Sequence, residues 1–385
     1  MATTDLVNSL EMHVFAAGQG ESIVLKLPGR GWGVVDCYAS KLSDPAENPV
    51  LCFLSDRGVG ELEFLCLTHP HDDHFRGMSH LLQRLRVHSF WRPSAMSPQR
   101  LQWILQLALV DAKRSGHDKA HEDADELERI FTLVKKQHRE HGRPLIPKVA
   151  TVGTQLYPIP VDPEARFQIW AITPSGRQTE TYEEGLRRCF DDNGRIKDRL
   201  PHARHNEISL ALLVVFGETR IILGGDVEQN NWLDALEEFG RPRLSSICVK
   251  VSHHGSTNGY CQGLWEAFSA HQMPVAVVTP FQRHQLPRRE ALEHIGKFAA
   301  KIVTPCLPAV CPKELPIPLS PKAPVRSRRA LRDTFQARAE TRLMRMGCCS
   351  LIFDENGTCT VNDLQPPAGN VSIPSGQQSP RGYSS

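Results

Sequence analysis

The chain has 385 residues, 40% hydrophobic and 23% charged, proportions that permit a sizeable buried core and exclude a fibrous or wholly disordered polymer. Its formal net charge of +2 averages a basic C-terminal region with a near-neutral body, so charge alone points to no partner. Eleven cysteines are scattered without a C-x-x-C pair, and Cys37, Cys52, Cys66 and Cys248 lie in apolar contexts, which predicts buried reduced thiols rather than a disulfide framework.

Met1 to Glu11 carries no basic segment followed by an apolar one, and no run approaches membrane-spanning length, so a cytoplasmic protein without membrane contact is expected. Met12 to Ala16 and Ser22 to Leu27 predict short strands around Ala17-Gly18-Gln19-Gly20-Glu21, and Gly31 to Asp36 a third. A short helix is expected between Pro45 and Gly60. The apolar run Glu63 to Leu67 then reads as a buried strand leading into Thr68-His69-Pro70-His71-Asp72-Asp73-His74-Phe75-Arg76-Gly77. Three imidazoles and a carboxylate, from His69, His71, Asp73 and His74, fall within six residues of a strand end. Strand alternation would scatter them, whereas a loop wrapped around a metal gathers them.

Gly77 to Arg86 has helical spacing at Met78, Leu81, Leu82 and Leu85. Gln99 to Arg114 and Glu122 to His141 are periodic too and form a helical insertion over about 97–142, where His117, His121, His138 and His141 read as surface residues. Strands resume from Val149 and at Phe167 to Ile172; Arg177 to His205 reads as a long loop with a short helix. Asn206 to Phe216 and Thr219 to Leu223 predict paired strands ending at Gly224-Gly225-Asp226. A helix from Glu228 to Phe239 precedes the strand Ser246 to Val251, which ends in Ser252-His253-His254-Gly255-Ser256. Val275 to Pro280 is another strand, and Leu286 to Leu292 starts a helix. Seven prolines between 305 and 324 mark a linker or extended wrap. Arg326 to Arg345 predicts an arginine-rich helix, suited equally to nucleic acid phosphates or to a solvated face. Cys349 to Phe353 and Thr358 to Asn362 flank the hairpin turn Asp354-Glu355-Asn356-Gly357, and a disordered tail is expected from about 364.

The run Leu67-Thr68-His69-Pro70-His71-Asp72-Asp73-His74-Phe75-Arg76-Gly77 resembles the signature of the metallo-β-lactamase superfamily. Gly18-Gln19-Gly20-Glu21-Ser22 and Val251-Ser252-His253-His254-Gly255-Ser256 are similar to the branch that holds the hydrolase domain of the competence DNA-uptake protein and the phosphorylcholine esterases. The resemblance spans roughly 12–304 and implies an αββα sandwich, here with the helical insertion and a C-terminal extension. It implies that Asp226 bridges two metals, that His254 is a ligand and His253 faces substrate or gives a proton, and that Asp36 supports the metal loop. It also puts the N-terminus of the 77–86 helix at the site, where the positive end of the dipole favours an anion. Arg76 at its mouth, Asn206, Ser256 and His284 are candidate substrate contacts, His284 because Leu286 stands where the branch has a histidine.

His69 and His71 are thus expected on metal 1 with His205 or Asn206, and Asp73, His74 and His254 on metal 2. The third ligand stays open, since imidazole binds zinc better than an amide does but the branch carries Asn at the 206 position. Nitrogen and oxygen ligands with an open position describe a catalytic site for two Zn2+ ions, or for Mn2+ or another divalent metal. Such a site generates a metal-bound hydroxide near neutral pH, with Asp73 orienting it. A phosphodiesterase or nuclease is the expected activity. A small ester, lactam or thioester would suit the same ligands, and a non-catalytic subunit binding a partner through the insertion or C-terminal region is the third reading. Expected domains are the hydrolase over 1–304, a linker over 305–325, a basic helix with hairpin over 326–363, and a tail over 364–385.

Overall fold

The computed structural model describes residues 8–29, 31–115, 118–140, 142, 144–306, 347–365 and 368–371. The basic helix expected over 326–345, the proline-rich stretch from 307 onward, His117 and His141 lie outside them. The first part of the chain forms β1 (Leu10–Ala16), β2 (Glu21–Lys26), β3 (Trp32–Val35), α1 (Pro49–Ser55), β4 (Glu61–Leu62), β5 (Phe64–Cys66), α2 (Asp72–Phe75), α3 (Met78–Arg84), β6 (Arg86–Val87), β7 (Ser89–Pro93), α4 (Pro98–Ser115), α5 (Asp118–Arg139) and β8 (Ile146–Ala150). Then come β9 (Gln155–Tyr157), β10 (Phe167–Ala171), α6 (Gly176–Arg188), β11 (Leu212–Phe216), β12 (Thr219–Leu223), α7 (Gln229–Leu244), β13 (Cys248–Lys250), α8 (Gln262–Phe268), β14 (Val275–Val277), α9 (Arg289–Ile295), β15 (Lys301–Thr304), β16 (Gly347–Phe353), β17 (Cys359–Gln365) and β18 (Gly369–Asn370).

Two eight-stranded sheets result, in the orders β17-β16-β1-β2-β3-β5-β7-β8 and β18-β15-β14-β13-β12-β11-β10-β9. Period-two alternation sends Leu10, Met12 and Val14 of β1 into a core shared with Leu212, Val214, Ile221 and Leu223 of the other sheet. The opposite faces are covered by helices. Phe15, Val24 and Leu65 pack with Leu54, Leu81 and Ile130, while Ile222 and Val249 pack with Trp232, Trp265 and Leu292. Helix, sheet, sheet, helix is the order of layers, the αββα sandwich expected.

Four stretches differ from the sequence expectation. The polar run read as a long loop with a short helix is helical from its start, as the 13-residue α6, capped by the Ser175 hydroxyl, which accepts from Gln178 N, and anchored by buried Tyr182 and Leu186. So few apolar residues hide the helical period. The strand expected from Asn206 begins only at Leu212, because His202–Ile208 coils as a 3-10 helix that delivers Ile208 to the outer core while Leu210 donates to Thr68 O. The C-terminal hairpin pairs along β1, from Leu10 opposite Phe353 to Ala16 opposite Gly347, so it completes the first sheet instead of standing beyond it. An unpaired β1 edge would leave a row of backbone groups without partners. The tail also starts later than expected, since Gly369 and Asn370 pair with Thr304 and Val303.

Candidate metal centre

β3, β5 and β7 are parallel in one sheet and β12, β13 and β14 in the other, so their C-terminal ends supply loops to a common region. β5 leads to His69–His74, β12 to Asp226, and β13 to His253 and His254. Two groups of potential ligand atoms that share Asp226 gather there, Asp73, His74, Asp226 and His254 in one and His69, His71 and Asp226 in the other, and a third comprises Glu21, Asp36 and His74. All are buried. Within each group the atoms lie within 4.8 Å of one another.

Asp226 belongs to both groups through different oxygens. Its Oδ1 lies 3.3 Å from His74 Nε2 and 3.6 Å from His254 Nε2, and its Oδ2 lies 3.9 Å from His69 Nε2. His254 Nε2 is 3.1 Å from Asp73 Oδ2, and His69 Nε2 is 2.9 Å from His71 Nδ1. His74 Nε2 and Asp226 Oδ1 are buried without a hydrogen-bond partner, an arrangement costly for a protein unless a cation fills the space between such atoms.

His74 and His254 are each held from behind. Asp36, in the left-handed region at φ 57°, accepts from Thr68 N at 2.8 Å and Thr68 Oγ1 at 2.7 Å, and its Oδ2 lies 2.7 Å from His74 Nδ1. That fixes the tautomer and ring plane of a candidate ligand, in the manner of outer carboxylates at metal sites. His254 Nδ1 faces Thr279 O at 2.9 Å. Both His253 and His254 have left-handed φ values, of 48° and 51°, and His253 N donates to Gly225 O at 2.9 Å, tying this turn to the one carrying Asp226.

Sequence reasoning missed the pair beneath. Glu21 and Lys250, each at most 1% exposed, form an ion pair, and Glu21 Oε2 also accepts from Thr279 Oγ1 and lies 3.5 Å from His254 Nδ1. The only signal was the Gly18-Gln19-Gly20-Glu21-Ser22 run. Gly20 is needed for close approach: a Cβ there would lie 2.4 Å from Tyr38 ring carbons and 2.6 Å from Asp73 O. Gly20→Ala is therefore expected to cost about 1–3 kcal/mol through overpacking. Melting temperature and metal titration check this, and equal values in both proteins would refute it.

Charge in the centre is balanced within it. Burial opposes protonation of His74, yet Asp226, Asp73 and Asp36 outweigh it and raise the pKa well above the ordinary value. His254 is raised likewise against burial, chiefly by Asp226. Burial would raise Asp226, but His254, His74 and His253 hold it well below the usual carboxylate range. His69, where burial dominates, is pushed down, which suits a neutral ligand.

The remaining predicted residues divide. His205 Nδ1 lies 2.9 Å from Tyr182 Oη of α6 and its ring meets His71 edge-on at 5.4 Å, but it belongs to neither ligand group. Asn206 donates through Nδ2 to Glu228 Oε1 at 3.0 Å and faces His253 Nε2 at 3.4 Å, while its Oδ1 is buried and unpaired. His253 Nε2 is 3.8 Å from Asp226 Oδ2. The Ser256 hydroxyl donates to Asn258, which donates to the same Glu228 oxygen at 2.9 Å. His284 is exposed and stands 5.2 Å, ring to ring, from Phe281, which stacks on His254 at 5.2 Å.

Two expectations about anion binding are corrected. Arg76 is buried, with its guanidinium paired to Glu122 at 2.6 Å and to Asp123, both on α5, so it is occupied within the protein. The α3 N-terminus is occupied as well: Glu126 accepts from Gly77 N and Ser79 N, both at 3.0 Å, and from Ser79 Oγ at 2.7 Å. Lys119 completes the strap by donating to Asp72 at 2.7 Å. Partners some 40 to 50 residues away in sequence, on α5, take the charges that a local reading left for substrate.

No protein-family model and no curated protein matches the chain. Among solved structures it is similar to a CmlA β-hydroxylase variant at 12% identity and TM-score 0.35, over 69% of this chain and 45% of that one. It is similar to zinc-bound PqqB from Methylobacterium extorquens at 10% identity and TM-score 0.29, covering 62% and 71%. A diphosphatase of the PhnP family matches at 11% identity and TM-score 0.34, covering 76% and 94%.

Proposed function

We propose that the chain is a metal-dependent hydrolase that cleaves phosphodiesters, including those of nucleic acid. The observation that carries the hydrolase reading is Asp226, buried, with one oxygen toward His74 and His254 and the other toward His69. His69, His71 and Asp226 would hold one divalent cation, and Asp73, His74, His254 and Asp226 the other, with Zn2+ or Mn2+ compatible with these donors. Bound cations there supply Lewis acidity and stabilise charge that develops on the scissile group. Asp36 and Thr279 orient His74 and His254. His253, partly exposed beside Asp226 and Glu228, would hold the proton that a leaving group takes.

The arginine-rich 326–345 stretch and the resemblance to the DNA-uptake branch support a polyanionic substrate. The spending of Arg76 and the α3 amides on α5 carboxylates favours the second reading, a small ester, lactam or thioester. Salt separates them. Chelator treatment should abolish turnover and Zn2+ or Mn2+ should restore it. In assays on single-stranded DNA, duplex DNA, RNA, a generic phosphodiester and a thioester, kcat/KM on nucleic acid should fall steeply with added salt. A flat salt profile with turnover of the thioester alone would refute the phosphodiester reading.

A further inference from the structure

Arg92 is the next-to-last residue of β7 and is 8% exposed. Its Nε donates to Met96 O at 2.7 Å. Among the described residues no carboxylate pairs with it, and its two terminal nitrogens have no protein partner while retaining access to solvent. Arg76 and Lys250, the other buried Arg or Lys side chains among those residues, are both ion-paired. Burial pulls the Arg92 pKa down with no neighbouring acid to offset it. A guanidinium buried without a counter-charge is costly, and proteins keep such groups where a ligand supplies the missing charge.

Its place in the fold says which ligand. Trp91 O accepts from Leu67 N at 2.9 Å, so Arg92 stands beside the end of β5, two residues before His69. Trp91 stacks on Phe64 between the sheets at 3.9 Å, so Arg92, like Phe90, faces the helical layer. There it meets the 3-10 turn Ser94–Met96, which packs on α6, and Tyr182 of α6 touches His205, whose ring meets His71. One wall of neighbours thus runs from Arg92 to the metal centre.

We propose that Arg92 binds an anionic oxygen group of the substrate, a carboxylate or a phosphoryl group, on the His71 and His205 side of the centre. The placement relative to a reacting group rests on the hydrolase reading above; the anion site itself does not. Guanidinium offers a planar fork that matches two oxygens of either group.

The test uses the full chain, as purified and after chelator dialysis, with inorganic phosphate and acetate as probes in thermal-shift and calorimetric titrations. Wild type should be stabilised by phosphate, by acetate, or by both, and the pattern tells phosphoryl from carboxylate. Arg92→Met should weaken that binding roughly ten- to a hundred-fold. Without anion it should melt at or above the wild-type temperature, because an unpaired buried charge has gone. Arg92→Lys should keep part of the response. With metal restored, Arg92→Met should raise KM with kcat little changed. Absence of any anion response in wild type, an unaltered response in Arg92→Met, or a marked loss of stability or folding in Arg92→Met would overturn the proposal. An intact anion response without turnover on any substrate would instead count against the hydrolase reading alone.

Discussion

Asp226→Ala is expected to lower turnover by roughly a thousand-fold, equivalent to about 4 kcal/mol of barrier, and to cut the divalent metal retained after dialysis. The fold should survive. Asp226 is 2% exposed, and losing a buried carboxylate normally strands its partners. Here the partners are imidazoles of His74, His254 and His69, which can shed a proton where a guanidinium could not. With Asp226 gone, the attraction that raises His74 and His254 weakens and both become easier to deprotonate. Asp226→Asn, nearly isosteric, should show the same loss of turnover with less disturbance. Elemental analysis, steady-state rates and circular dichroism on the same preparations check this, and wild-type metal content with wild-type rate would refute the assignment.

Lys250→Met should destabilise the protein by about 3–5 kcal/mol, the usual result of removing one partner from a buried ion pair. Glu21 is pushed upward by burial but held below its ordinary pKa by Lys250 first, then by His254 and His74. Without the ammonium the carboxylate has to take up a proton or remain poorly compensated. Adding Glu21→Gln to Lys250→Met should recover much of the loss, since two neutral groups leave no orphan charge. Urea unfolding of the four proteins measures the coupling. Additive effects of the two changes would show that the pair does not act as a unit.

The His69–His74 cluster was legible because its residues are contiguous and follow an apolar run. That Asp226 and His254 gather with it was legible because each follows a recognisable strand. What could not be read is what depends on distant partners. Arg76 looked free until α5 brought Glu122 and Asp123 to it, and Glu21 gained a role only when β13 placed Lys250 against it. Asn206 to Ile208 was read as the start of the apolar strand that follows it, yet it closes a 3-10 turn that carries Ile208 to the outer core, and the strand begins at Leu212. The hairpin of β16 and β17 was visible from its turn residues, but nothing local says that β16 belongs against β1.

That last pairing has a consequence for biogenesis. β1 lies between β2, formed within the next ten residues, and β16, which emerges from the ribosome more than 300 residues later. The first sheet therefore cannot close until β16 has been made, and the long loop between β1 and β16 must be closed entropically before the pairing rewards it. A nascent chain halted at 304 would expose the β1 edge and the Leu10, Met12 and Val14 face bereft of Cys349, Leu351 and Phe353. Such an intermediate is a template for edge-to-edge association and a natural client for chaperones.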